Sequence, residues 1–338
     1  MEELLFLPVF ASIIITLVFL PAWIRKARQI NLVWEDMNQY GHPKNLPGAG
    51  GIIVLMAFVL SVLIYVAIKT FILKTNLTSM ETFALLTTTI IAGIIGFVDD
   101  ILGWVRGGLR KRLRVILVIM AAIPLMVINA GESSINLPIL GLVNTGWVYP
   151  LILIPIGVAG VTTTYNFLAG FKGLEAGQGI IILTFLSLIA YLTDSSWLAL
   201  IGLCMVASLI VFYFFNIKAA TILPGDALTY SVGALIASMA IIGNFERIAI
   251  VVFLPYITEF ILKLRGKLKK QSFGIPNKDG SLEMPYDKIY GLTHVSLFIL
   301  KKLKKKVYEK DIPRFIFCIQ IILCLLALII FRNSLFVL

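Results

Sequence analysis

Residues 50–69 read GGIIVLMAFVLSVLIYVAIK, and no charge interrupts them before Lys69. As a helix rising 1.5 Å per residue, that run is long enough to cross the ~30 Å hydrocarbon core of a bilayer. Runs of comparable length recur along the chain. With 59% hydrophobic residues, 14% charged residues and a mean hydropathy of +0.97, the 338-residue chain carries more apolar surface than a soluble globule of its size can bury. A soluble enzyme, a disordered segment and a disulfide-stapled secreted module are therefore excluded. The expected fold class is all-α, a polytopic integral membrane protein.

Ten spans are predicted, at about 3–23, 50–69, 81–98, 113–130, 147–166, 178–193, 196–215, 227–243, 246–264 and 313–332. Pro21, Gly50-Gly51 and Pro313 mark ends. The start, Met1-Glu2-Glu3, lacks the basic n-region of a cleavable signal, so the first run is expected to stay as a helix. The chain is read as one transmembrane domain over 1–338, with one long polar stretch, a basic loop at about 265–312. Of the 29 Lys and Arg, 25 fall in the connections after odd-numbered spans; the other 4 are Lys69, Lys74, Arg247 and Arg332. The positive-inside rule puts the basic face in the cytoplasm and both termini outside, in the plasma membrane if the cell is prokaryotic. Asn76-Leu77-Thr78, a formal glycosylation sequon, falls outside. Topology thus accounts for the net charge of +11, with a second use in holding phosphate or anionic lipid. No nucleic acid is implied.

Cys204, Cys318 and Cys324 lie in apolar runs and read as small buried hydrophobes; His42 and His294 show no ligand spacing. The chemistry gathers instead in the connections of the basic face. Asp99 and Asp100 close the third span. Paired carboxylates beside a falling dielectric are costly unless a cation or basic side chain compensates, and a helix C-terminus is the wrong end for an anion. A divalent metal or one of Arg110, Lys111, Arg112 and Arg114 is the expected compensation. Asp226 follows Pro224-Gly225 and reads either as a helix N-cap or as an oxygen ligand for a hard cation. Residues 166–179 carry Gly170, Gly173, Gly177 and Gly179. Such a stretch is either a tight turn or a backbone that approaches phosphate at a helix N-terminus. Together these features suit phosphoryl transfer between a lipid-borne acceptor and a cytoplasmic donor.

These motifs resemble the polyprenyl-phosphate N-acetylhexosamine-1-phosphate transferases, and most closely their dolichyl-phosphate GlcNAc-1-phosphotransferase branch. The resemblance rests on NFLAGFKGLEAGQ at 166–178, GFVDD at 96–100, Phe215-Asn216 with Pro224-Gly225-Asp226, and IPNKDGSLEM at 275–284. It implies transfer of a sugar-1-phosphate, GlcNAc-1-phosphate by preference, from a UDP-N-acetylhexosamine to a polyprenyl or dolichyl phosphate, with release of UMP. That would be the first membrane step of glycan assembly, of N-glycosylation or cell-envelope type. The resemblance further implies that Asn166 and Asp226 hold Mg²⁺, with Mn²⁺ as a substitute. Asp99 and Asp100 would orient or deprotonate the lipid phosphate, with positioning preferred, Lys111 or Arg114 would face the phosphates, and Lys44, Gly170, Lys172, Gly173, Leu174, Glu175 and Leu223 would line the substrate site. A second copy of the chain, in a homodimer, is the expected protein partner.

The chain departs from the branch at Lys172, Leu223, Ala49 and residues 271–274, all on the donor side. Lys172 stands three residues before Glu175, and is expected either to pair with that glutamate or to meet the donor. The alternatives are the same reaction with a UDP-MurNAc-peptide donor, a polytopic transporter, and a family member without activity. The mid-span regions carry almost no charge, whereas transport paths are lined with ionisable residues.

Overall fold

A computed structural model describes every residue except 1–3, 5, 76–78, 133, 138–140, 218–220 and 336–338. The sequon at 76–78 and part of the connection after the seventh span therefore lie outside the described residues. Among the described residues, helices account for nearly all of the regular structure, and three two-stranded antiparallel hairpins join them. Among the described residues, eight helices are long and apolar enough to cross a membrane. They are α1 (Leu7–Gln29), α2 (Gly51–Ala67, continued as a π-helical turn to Leu73), α3 (Ser79–Arg106), α6 (Ile154–Phe167, preceded by a π-helical turn from Tyr149), α7 (Leu174–Leu192), α8 (Ser196–Ile217), α9 (Gly225–Ile242) and α13 (Asp311–Leu335).

The other two expected spans are broken. Residues 113–130 divide into α4 (Lys111–Ala121) and α5 (Ile123–Val127), and 246–264 into α10 (Glu246–Val252) and α11 (Leu254–Arg265). Pro124 and Pro255 sit in the first turns of α5 and α11. A proline there has no N–H to give the preceding turn, and its ring clashes with the carbonyl four residues back. Among the boundaries that move, two lie beside the polar motifs. The third span does not end at the aspartate pair but runs on to Arg106, and the sixth begins at Leu174 rather than 178. In both cases the charge that seemed to end the apolar run has partners inside the fold, and the helix continues through it.

The stretch 265–312 is more ordered than a loop. It holds β5 (Ile275–Pro276) paired with β6 (Leu282–Glu283) and α12 (Leu292–Leu303). Of the other hairpins, β1 (Val33–Glu35) with β2 (Lys44–Pro47) lies between α1 and α2, and β3 (Ser134–Leu137) with β4 (Gly141–Asn144) lies between α5 and α6.

Helix α9 is the centre of the bundle. Its apolar window is 83% buried, against 28% for α1 and 22% for α13, whose exposed faces are apolar. It packs against α3, α6, α2 and α7, most extensively against α3. Small residues explain the approach: Gly96 of α3 lies against the Asp226 carbonyl, and Gly233 of α9 lies on Thr162 of α6. In lipid, where tails are as apolar as leucine, such close backbone packing is a principal source of helix association. The same packing brings the C-terminal turns of α3 to the N-terminus of α9.

Candidate active site

Asp99 and Asp100 lie two turns before the end of α3, and their side chains part. Asp99 pairs with Arg114 of α4 and accepts the Leu109 N–H at 2.6 Å. Asp100 turns to α9, where its two oxygens accept the N–H groups of Asp226 at 2.7 Å and Ala227 at 3.1 Å. Asp226 is thus not the N-cap: Pro224 holds that position without a side-chain bond, and Asp100 serves the helix end from across the interface. The first N–H groups of a helix lack internal partners and favour negative charge, which accounts for a buried carboxylate here. Arg114 Nη1 also lies 3.5 Å from the Asp226 carboxylate, so one guanidinium bridges α3 and α9.

The glycine-rich turn lies beside this junction. Gly170 and Gly173 have φ of +109° and +80°, a region side chains strain to enter. Asn216, 1% exposed, accepts the Gly173 N–H at 2.6 Å and donates to the Ile222 carbonyl at 2.7 Å, tying the turn to the approach to α9. Asn166 Oδ1 accepts the Thr229 hydroxyl at 3.1 Å. Leu223 is held by the segment before α2: its N–H donates to the Pro47 carbonyl, and its carbonyl accepts the Gly50 N–H.

These pieces enclose a cavity of about 300 Å³. Of the expected residues, Asp100, Asn166, Gly170, Lys172, Glu175, Leu223 and Asp226 line it, as does Ala49. Asp99, Arg114, Gly173 and Leu174 are not among the lining residues. Lys44 and Lys111 lie away from the cavity. Lys44 is exposed in β2 and does not line the cavity, because the hairpin presents Trp34, Asp36 and Asn38 there instead. Lys111 donates to the Leu268 carbonyl at 3.0 Å, since the start of α4 directs it to the end of α11.

Lys172 does not pair with Glu175. Its ammonium meets Asp36 at 2.5 Å and Glu309 at 3.3 Å, both distant in sequence. Burial alone would lower the Lys172 pKa, but these two carboxylates outweigh it and hold the ammonium above its ordinary value. Glu175 instead accepts the Gly170 N–H at 2.8 Å.

Residues 82–244 match the profile of glycosyl transferase family 4. A Saccharolobus solfataricus protein, named "Putative UDP-N-acetylglucosamine–dolichyl-phosphate N-acetylglucosaminephosphotransferase", is 33% identical over 306 residues, 90% of each chain. The chain belongs to glycosyl transferase family 4. The UDP-N-acetylglucosamine–dolichyl-phosphate N-acetylglucosaminephosphotransferase of Dictyostelium discoideum is 28% identical, the match covering 79% of this chain and 72% of that one. A phospho-N-acetylmuramoyl-pentapeptide-transferase of Halalkalibacterium halodurans is 27% identical, covering 79% and 86%. Within this family-4 chain, the matched region contains the aspartate pair, the glycine-rich turn and Asp226, while Asp36, Asn38 and Glu309 lie outside it.

Those three residues, with Asn216, are what sequence reasoning missed as site residues. Asp36 and Asn38 sit in a short polar hairpin connection, and Glu309 follows a lysine-rich run that reads as a solvated face. Only Asn216 carried a signal, as part of a motif. For a metal ion, Asn166 Oδ1 and the Asp226 carboxylate are hard oxygen donors on residues that line the cavity. Among the described residues no three His, Cys, Asp or Glu form a cage. That donor set fits an ion such as Mg²⁺, which keeps several waters and uses one or two carboxylates plus substrate phosphate oxygens.

Proposed function

We propose that this chain transfers N-acetylglucosamine-1-phosphate from UDP-N-acetylglucosamine to a polyprenyl or dolichyl phosphate in the bilayer. The carrying observation is the cavity where α3, α6 and α9 meet, which joins Asp100, Asn166 and Asp226 to the glycine turn at one end of the bundle. A site at a helix-bundle end suits an acceptor whose tail stays in lipid while its phosphate reaches out to a water-soluble donor. The relatives' names supply the donor and acceptor classes.

In this reading an oxygen of the lipid phosphate attacks the sugar-linked phosphorus of the donor. A new P–O bond forms, the bond to the UMP oxygen breaks, and UMP leaves with the electron pair. The second pKa of a phosphate monoester is about 6, so much of the acceptor is dianionic at neutral pH and needs no strong base. Positioning and charge compensation carry most of the work in such transfers. Asp100 keeps the N-terminus of α9 aimed at the cavity, Arg114 offsets the charge of Asp99 and Asp226, and the turn at 170–173 shapes the donor side. Asn166 and Asp226 would hold a Mg²⁺ ion, which supplies Lewis-acid neutralisation of diphosphate charge. The basic face, with this site, is assigned to the cytoplasm and both termini to the outside.

The test is transfer of label from a panel of UDP-sugars to polyprenyl phosphate by the purified protein, with and without Mg²⁺. Label in the lipid phase with stoichiometric UMP supports the reading. Preference for a UDP-MurNAc-peptide would replace the donor, and no transfer from any UDP-sugar would remove the activity.

A further inference from the structure

The glycine turn is held from outside itself. Asn38 Nδ2 donates to the Gly170 carbonyl at 2.7 Å, and Glu175 Oε1 accepts the Gly170 N–H. Glu309, just before α13, completes the set. Its Oε1 accepts the Lys172 N–H at 3.3 Å and Asn38 Nδ2 at 3.3 Å, and its Oε2 faces the Lys172 ammonium. Side chains from the first hairpin, from α7 and from the segment ahead of α13 thus fix a turn whose two glycines occupy left-handed conformations. Two polar atoms are left over. Asn38 Oδ1 and Glu175 Oε2 are buried on residues 6% and 5% exposed, both residues line the cavity, and neither atom has a hydrogen-bond partner among the described residues. Buried polar atoms are nearly always satisfied, and these two are left unpaired within residues that line the cavity.

We infer that Glu309 is a positioning residue for the nucleotide-sugar donor, acting through the turn at 170–173 and Asn38. The inference rests on the proposed transferase reading. Glu309 lines the same cavity and acts by fixing the backbone of the turn and the amide of Asn38, so that the donor meets one pre-set arrangement. Pre-set geometry of this kind saves the ordering entropy that a loose turn would spend on binding. Glu309 therefore acts on donor affinity and leaves the chemical step alone.

The experiment uses the purified full chain with Mg²⁺. Calorimetric binding of UDP is measured beside steady-state transfer for the wild type, Glu309→Ala and Glu309→Gln. The alanine variant is expected to raise both the Kd for UDP and the donor KM about tenfold, the loss expected for a hydrogen bond to a charged group, with kcat near wild type. The glutamine variant keeps the Oε1 acceptor and should recover most of the affinity. If the alanine variant does not fold, the glutamine variant decides, with an expected rise in Kd of about threefold from the weakened hold on Lys172. Wild-type Kd and KM in the folded variants, or a fall in kcat at unchanged KM, would overturn the inference. A wild-type protein that binds no UDP would instead sink the transferase reading, and this inference with it.

Discussion

Asp100 and Asp226, 126 residues apart, meet through the carboxylate of one and the backbone N–H of the other at 2.7 Å. The bond joins the two most extensively packed helices of the bundle at the edge of the cavity, and Gly225 makes room for it. At that glycine φ is +71°, and a Cβ would collide with the Asp100 carboxylate.

Removing either side of this junction should therefore loosen the fold at the site. Asp100→Ala is expected to cost about 1–2 kcal/mol, the size of a lost helix cap, and to lower transfer as α9 loses its anchor. Gly225→Ala should do at least as much harm, through backbone strain and the clash together. Thermal unfolding in detergent, measured beside transfer per folded molecule, checks both. A Gly225→Ala protein as stable and active as wild type would mean that the junction yields easily.

Asp226→Asn separates charge from shape. Its backbone N–H still bonds Asp100 and the side chain caps nothing, so the fold should persist. With the carboxylate gone, transfer is expected to fall by about two orders of magnitude or more, as when one charge-stabilising group leaves an active site, and the Mg²⁺ requirement should rise. Titrating Mg²⁺ in the transfer assay provides the check; an unchanged Mg²⁺ curve with wild-type turnover would remove Asp226 from the metal.

The Lys172 cluster makes a pH prediction. Its ammonium is raised above the ordinary lysine value of 10.5 by Asp36 and Glu309. A pKa raised on folding adds stability that is complete below the unfolded value and disappears as pH climbs through the folded one. The difference in thermal stability between wild type and Lys172→Met should accordingly stay flat from roughly pH 6 to 9 and shrink only in strongly alkaline buffer. A difference that vanishes near pH 7 would show that the ammonium is not held in this way.

Orientation can be read with single cysteines. Lys278 lies exposed between β5 and β6, and Trp147, 82% exposed, lies ahead of α6. Under the charge asymmetry, a cysteine replacing Trp147 should react with an impermeant reagent on intact cells, and one replacing Lys278 only after permeabilisation. The opposite pattern would invert the protein and move the site to the outer face.

The sequence by itself determined the membrane class, the all-α fold and the places where chemistry gathers. Each of these depends on local composition: an apolar run such as 50–69 has only one use, and Asp99-Asp100, 166–178 and Pro224-Gly225-Asp226 stand out against apolar neighbours. Where Asp100 points was decided by packing, because small residues such as Gly96 let α3 approach α9 closely enough for its carboxylate to reach foreign N–H groups. Lys172 went to Asp36 and Glu309 for the same kind of reason. Glu175, the neighbour that spacing suggested, is turned back to the Gly170 N–H, and the carboxylates that reach Lys172 arrive from segments 136 and 137 residues away. Such pairings depend on how distant segments are brought together in the fold, and no local pattern in the chain encodes that distance.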